Sequence, residues 1–215
     1  MSLNFYYAAH TYVDNWVVCD REARKVLGFS RVTPPEPEQA REHLIVVAKI
    51  YGIARNFRLE LEGDKARLSP VWTALQEIEI RPISEPDAID CVNNLVNALK
   101  PTYGRELLSA ASKILWMRFG HPIIIYDSLT WKWMCQNGGC PTIRNYGDFY
   151  KAWRTNFDNH QNDVVAACEV LKRVKARKFL CPIDVTDEEF EDAVSSPWFA
   201  ERVFDHAVVN EISGV

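Results

Sequence analysis

Apolar residues recur at three- and four-residue intervals through most of this chain, which predicts a mainly α protein. The spacing predicts packed helices from Tyr12 to Leu27 and from Glu38 to Arg55, separated by the breaker Pro34-Pro35-Glu36-Pro37. Residues 57–62 alternate apolar with charged, the pattern of a short strand turning at Gly63-Asp64, or of a loop before a helix from Leu68 to Ile78. Ile89, Val92, Leu95 and Leu99 form a stripe on a helix opening at Ser84, and Lys100-Pro101 marks its expected end.

The next stretch, from Leu107 to Met134, is the most apolar. Leu107, Leu108, Ala111, Ile114, Leu115 and the stem of Arg118 predict a helix covered on most sides. Phe119-Gly120-His121-Pro122 ends it, because glycine takes a left-handed terminus at little cost and proline cannot continue the ladder. Ile123 to Tyr126 is too short for a helix and reads as an extended segment threading the core. Asp127 can then cap a helix running through Leu129 to Met134, either as a cap alone or as a cap with chemistry.

Beyond it, the helical pattern from Tyr146 to Arg177 meets polar turn formers at Phe157-Asp158-Asn159-His160, which predicts two helices rather than one. Thr186-Asp187-Glu188-Glu189 has the form of a capping box, and Pro197 can open a last helix holding Trp198, Val203, Phe204 and Val208.

At 215 residues and 47% hydrophobic, the chain can bury a sizeable core as one compact domain or as two closely packed lobes. In the two-lobe form both ends belong to one lobe and the middle to the other, with the Leu107 to Met134 unit near the cleft. No apolar run reaches the eighteen residues a membrane span needs, and the opening residues lack a signal's basic-then-apolar order, so the cytoplasm is the expected location. The six cysteines are widely spaced, which favours free buried thiols over a disulfide framework. Cys135 and Cys140 flank a turn-like Gln136-Asn137-Gly138-Gly139, but no second close pair completes a four-thiolate site. The histidines are scattered without a protease or deaminase arrangement, so neither a metal nor a cofactor is expected.

Charge adds a partner. The whole chain carries −4, yet residues 105–178 hold twelve Lys or Arg against six acids, and residues 179–215 hold one Arg against nine acids. Lys172, Arg173 and Lys175 are candidates for phosphate contacts, with pairing to the acidic tail as the competing use. Tryptophans cluster around the apolar unit, and a flipped base is held between apolar or aromatic surfaces. Core or helix packing is the commoner use of such tryptophans; Trp116 and Trp131 are the pocket candidates, Trp131 ahead of Trp133 because its four-residue offset from Asp127 puts both on one helix face.

The run Phe119-Gly120-His121-Pro122-Ile123-Ile124-Ile125-Tyr126-Asp127 resembles the segment of the helix-hairpin-helix DNA glycosylase superfamily in which a buried helix ends, the chain crosses the core and a catalytic aspartate opens the next helix. The residues from Ser109 to Trp116, with Ile125-Tyr126-Asp127-Ser128, are more similar to a bacterial branch with an 8-oxoguanine DNA glycosylase-like fold. The run from Trp198 to Asp205 resembles that branch's closing helix. Together these matches cover about a third of the chain. The resemblance implies a glycosylase-like helical fold, with Asp127 catalytic and Trp198 and Phe204 closing the substrate pocket. The superfamily's glycine-rich hairpin is degenerate here: Pro101-Thr102-Tyr103-Gly104-Arg105 holds one glycine, and Tyr103, Gly104 and Arg105 stand where the DNA backbone would be gripped. The lysine of the bifunctional enzymes falls at Ser109, a pocket position, while Lys113 lies one helical turn later and can share that face. Only Cys168 and Cys181 remain near the end of the chain, so the iron-sulfur cluster of some relatives is not expected.

The implied activity is hydrolysis of the N-glycosidic bond of a modified or damaged DNA base, in repair or defence. A lyase step follows if Lys113 is a nucleophile. The alternative is a nucleic-acid-binding or protein-interaction module that kept the scaffold and lost catalysis. RNA or a free modified nucleoside stands as an alternative substrate.

Overall fold

A computed structural model describes residues 3–27, 37–57, 63–78, 84–137 and 139–214. Their regular structure is helical, with no strand among them: α1 Phe5–Asn15, a π-helical turn Trp16–Asp20, α2 Arg21–Leu27, α3 Pro37–Ile50, a 3-10 turn Ala54–Asn56, α4 Asp64–Glu77, α5 Glu85–Tyr103, α6 Leu108–Phe119, α7 Ser128–Gln136, α8 Tyr146–Arg173, α9 Arg177–Leu180, α10 Asp187–Ser195 and α11 Pro197–Ser213. Most of the expected strand, residues 58–62, lies outside the described residues, as do Pro34, Pro35 and Glu36 of the expected breaker. None of the described helices is long and apolar enough to cross a membrane.

The chain divides into two compact units, one formed by residues 1–18 and 127–215, the other by residues 19–126. In the second, α2 packs on α3, α3 on α4, α4 on α5 and α5 on α6, and α6 returns to α2, so the helices close a ring. Its interior holds Leu44, Val71, Leu95, Ala111 and Leu115, each at most 1% exposed. Helix α5 does not stop at Lys100-Pro101 as the proline suggested but runs to Tyr103. Proline in the last turn removes one hydrogen bond where the ladder is about to end, and left-handed Gly104 closes the helix by donating its N–H to the Lys100 carbonyl.

Helix α6 is buried as its pattern predicts and ends at Gly120, whose φ of 66° and ψ of −134° lie outside the left-handed helical region in a conformation that favours glycine. A Cβ there would lie 2.6 Å from the Arg24 guanidinium, which also sits 5.2 Å over the Trp116 ring. Residues 123–126 then cross the core without regular structure, all four buried. The buried Ser112 hydroxyl holds this crossing in place, accepting from the Tyr126 N–H at 2.9 Å and donating to the Ser109 carbonyl at 3.2 Å.

In the first unit α1, α7, α8 and α10 surround α11. Phe204, 1% exposed, takes edge contacts from Trp133, Trp153 and Phe157 and stacks with Phe5. The expected break at residues 157–160 does not occur, and α8 is a single helix of 28 residues. Phe157 continues the buried stripe of Phe149, Tyr150 and Trp153, and His160 Nδ1 lies 2.8 Å from the Asn156 carbonyl, while Asp158 and Asn159 face solvent. Polar turn formers on the wet face of an amphipathic helix do not interrupt it when the buried face keeps its period.

The cysteine expectation is also corrected in part. Cys135 and Cys140 are joined by a disulfide across the turn that separates them. Cys19, Cys91 and Cys181 lie outside any disulfide but are only half-buried, and Cys168 is outside a disulfide and buried. Burial pushes the Cys91 thiol up to about 11 and that of Cys168 to about 12, so neither supplies a thiolate at neutral pH.

Candidate functional site

Asp127 opens α7 from an extended backbone, φ −128° and ψ 140°, because the crossing segment delivers it to the helix start. Its Oδ1 accepts the Leu129 N–H at 2.9 Å and its carbonyl accepts the Trp131 N–H at 2.9 Å, so the expected cap is present. The half-buried carboxylate faces the positive end of the helix dipole.

A second carboxylate lies within its electrostatic reach. Asp205 on α11 is 5% exposed; Trp153 Nε1 donates to its Oδ1 at 2.7 Å and Arg202 to its Oδ2 at 2.9 Å. Burial is the main force raising the Asp205 carboxyl to about 6, opposed by Arg202 and the indole N–H and assisted by the charge of Asp127. Arg202 lies 5.6 Å over the Tyr12 ring, and the buried Glu201 carboxylate accepts from Arg154 at 2.8 Å. The beginning of α7 and the middle of α11 thus carry two acids, of which Asp205 keeps its proton to higher pH than an ordinary aspartate. Sequence reading singled out Asp127 but assigned no role to Asp205. The only local signal was the three-residue spacing of Arg202 and Asp205, which sets them on one helix face.

The other expected site residues fall in both units. Lys113, half-buried on α6, and Ser109 one turn before it belong to the second unit, whereas Asp127 belongs to the first. Trp116 and Phe204, expected at a pocket wall, are each 1% exposed and serve as core packing, because the apolar faces that carry them point inward. Trp131 is half-buried, with Nε1 donating to the Pro141 carbonyl at 2.9 Å, and Trp198 is half-buried with its ring against Phe199. Trp133, which the spacing ranked second, lines an open recess of about 770 Å³ in the first unit. His160, Asn156, Asp163 and Glu211 share that recess, and Trp133 Nε1 donates to Glu211 at 3.0 Å; Asp127 does not line it.

Of the expected backbone-gripping residues, Tyr103 is 8% exposed, donates its hydroxyl to the Arg67 carbonyl, and is pushed up to about 12 by burial. Arg105 bonds the carbonyls of Arg55 and Asn56 within its own unit, and Gly104 is the exposed left-handed end of α5. Lys172 pairs with Glu169 at 2.5 Å, whereas Arg173 and Lys175 are exposed. The competing use of the basic run is realised at Arg177, which binds Asp187 and the Val185 carbonyl. No group of three or more potential metal ligands occurs among the described residues. No protein-family model, curated protein or solved structure matches this chain.

Proposed function

We propose that this chain removes a modified or damaged base from DNA by hydrolysing its N-glycosidic bond, with Asp127 as the essential charge. The observation that carries the reading is the half-buried Asp127 carboxylate delivered by the crossing segment to the start of α7, with the charge of Asp127 felt at Asp205. When the bond between the sugar C1′ and the base nitrogen breaks, its electron pair leaves with the base and positive charge develops on the sugar. An ionised Asp127 offsets that charge and orients a water whose oxygen bonds C1′ while its proton passes to an acceptor. Asp205 assists by staying protonated more readily than an ordinary aspartate, which limits repulsion against Asp127. Hydrolysis without strand cleavage is the primary activity. In the lyase variant the Lys113 amine attacks C1′, the base leaves with the bonding electrons, and ring opening forms an imine that permits elimination of the 3′ phosphate.

The second reading, a nucleic-acid-binding or protein-interaction module without catalysis, is favoured by the core placement of Trp116 and Phe204, and its protein-interaction form by the internal engagement of Tyr103 and Arg105. Uniquely labelled duplexes carrying a panel of modified bases, with abasic DNA trapped by borohydride, separate the two. Base release that falls at least a hundredfold in Asp127→Asn while DNA binding persists is the result expected. A trapped adduct lost in Lys113→Ala assigns the lyase step. No release from any substrate, or full release by a folded D127N protein, overturns the glycosylase reading.

A further inference from the structure

The chain between α8 and α10 is held firmly at its base and exposes at its tip the kind of side chains that proteins usually bury. Ala176 and Val185, 2% and 0% exposed, anchor it. Backbone bonds from the Ala176 N–H to the Leu171 carbonyl and from the Val185 N–H to the Pro182 carbonyl fix its two ends, and Arg177 ties across to Val185 and Asp187. Between these anchors Phe179 is 82% exposed and Ile183 fully exposed, and Val174 just before them is 50% exposed. Arg173, Lys175 and Lys178 are exposed in the same stretch and have no ionic partner among the described residues. Folding leaves this apolar surface in water although the core has taken up nearly every other phenylalanine-sized group on α8 and α11.

We propose that residues 173–183 form a knuckle that binds nucleic acid at an unpaired base, with Arg173, Lys175 and Lys178 on phosphates and Phe179 stacked on the base. The charge selects an anionic partner, and the aromatic face selects one that presents flat apolar surface beside its charge. Lys175 and Phe179 are four residues apart, at most about 14 Å of chain, so cation and ring reach the same short stretch of strand. Unpaired bases expose both faces that a duplex keeps stacked, which is why single-stranded or locally opened DNA fits better than intact duplex. An anionic membrane is the lesser match, because an interfacial helix buries an apolar face along its length and α9 is a single turn. The inference rests on the nucleic-acid partner of the proposed function and not on its chemistry.

Fluorescence anisotropy with a labelled single-stranded oligonucleotide, a duplex containing one bulged thymine and the matched perfect duplex reads the difference. Phe179→Ala, with a circular dichroism spectrum unchanged because the ring packs on little, is expected to weaken the first two by about five- to hundredfold, the worth of one base–aromatic stack, and to leave the perfect duplex within twofold. Lys175→Glu is expected to weaken all three. Equal binding of every DNA by wild type and F179A overturns the proposal. So does binding of wild type to phosphatidylserine vesicles with none to the oligonucleotides. Anisotropy does not depend on base release, so Phe179-dependent binding by a protein that frees no base from the labelled modified-base duplexes defeats the glycosylase reading and leaves the knuckle standing.

Discussion

Asp205 and His206 are neighbours on α11 whose burial pushes their titrations in opposite directions. His206 is half-buried against the Tyr12 ring, and desolvation, with the positive charge of Arg202, pulls it down to about 3. The folded chain binds more protons than the unfolded chain at Asp205 between its ordinary carboxylate range and about 6, so that group lowers stability as pH rises through this window. At His206 the folded chain binds fewer protons between about 3 and 6.5, so this group lowers stability as pH falls through its own window. Between pH 4 and 6 the two slopes largely offset. Urea denaturation across that range is expected to show a shallow profile for the wild type. Asp205→Asn should leave the histidine slope, with stability rising as pH rises, and His206→Gln should leave the aspartate slope, falling by up to about 3 kcal/mol. Identical profiles in all three proteins would show that neither group is desolvated as described.

Among the helices, α6 and the crossing segment after it depend on one hydroxyl. Ser112 is 0% exposed and satisfies the Tyr126 N–H, a donor that the crossing segment cannot pair with itself because it makes no ladder. Ser112→Ala leaves that N–H in the core without an acceptor and is expected to cost about 1–3 kcal/mol in chemical denaturation. A loss under about 0.5 kcal/mol would mean that the segment finds another acceptor and is not pinned by α6. Helix α8 teaches a complementary lesson about reading polarity. Asp158 and Asn159 look like a turn when taken as residue types, but Phe157 and Val164, two turns apart, keep the buried stripe in phase. A helix is interrupted by backbone chemistry or by a lost apolar face, and α8 has neither at this point.

For the whole molecule, charge limits how the proposed DNA partner can be held. The net charge of −4 opposes general adhesion, and the positive excess is concentrated before residue 179. Since Lys172 and Arg177 are already paired with acids, Arg173, Lys175 and Lys178 are the cations of that run available to displace counterions. The logarithm of the DNA affinity is therefore expected to fall with the logarithm of salt concentration at a slope of about −3. Titrations at four salt concentrations measure it. A slope beyond about −6 would require a larger basic surface than this run provides, and a slope near zero would remove phosphate contact from the account.

Helix type, the burial of α6, the termination at Gly120 and the caps at Asp127 and Thr186 were legible along the chain because each depends on residues within about one turn of one another. The glycosylase resemblance drew attention to Asp127 for the same reason, through a local order of helix, crossing and cap. Pairing across long separations was not legible. Asp205 is 78 residues from Asp127 and is shaped by Trp153 on a third helix, and Trp133 lines its recess together with Glu211 of α11, to which its indole donates. Even the disulfide, five residues across, required the turn at the end of α7 to bring the sulfurs together. Local hydrogen bonding and hydrophobic period choose the elements. Which acids share a field, which aromatics are buried and which are left in water follow from helices that meet only after the chain has folded back on itself.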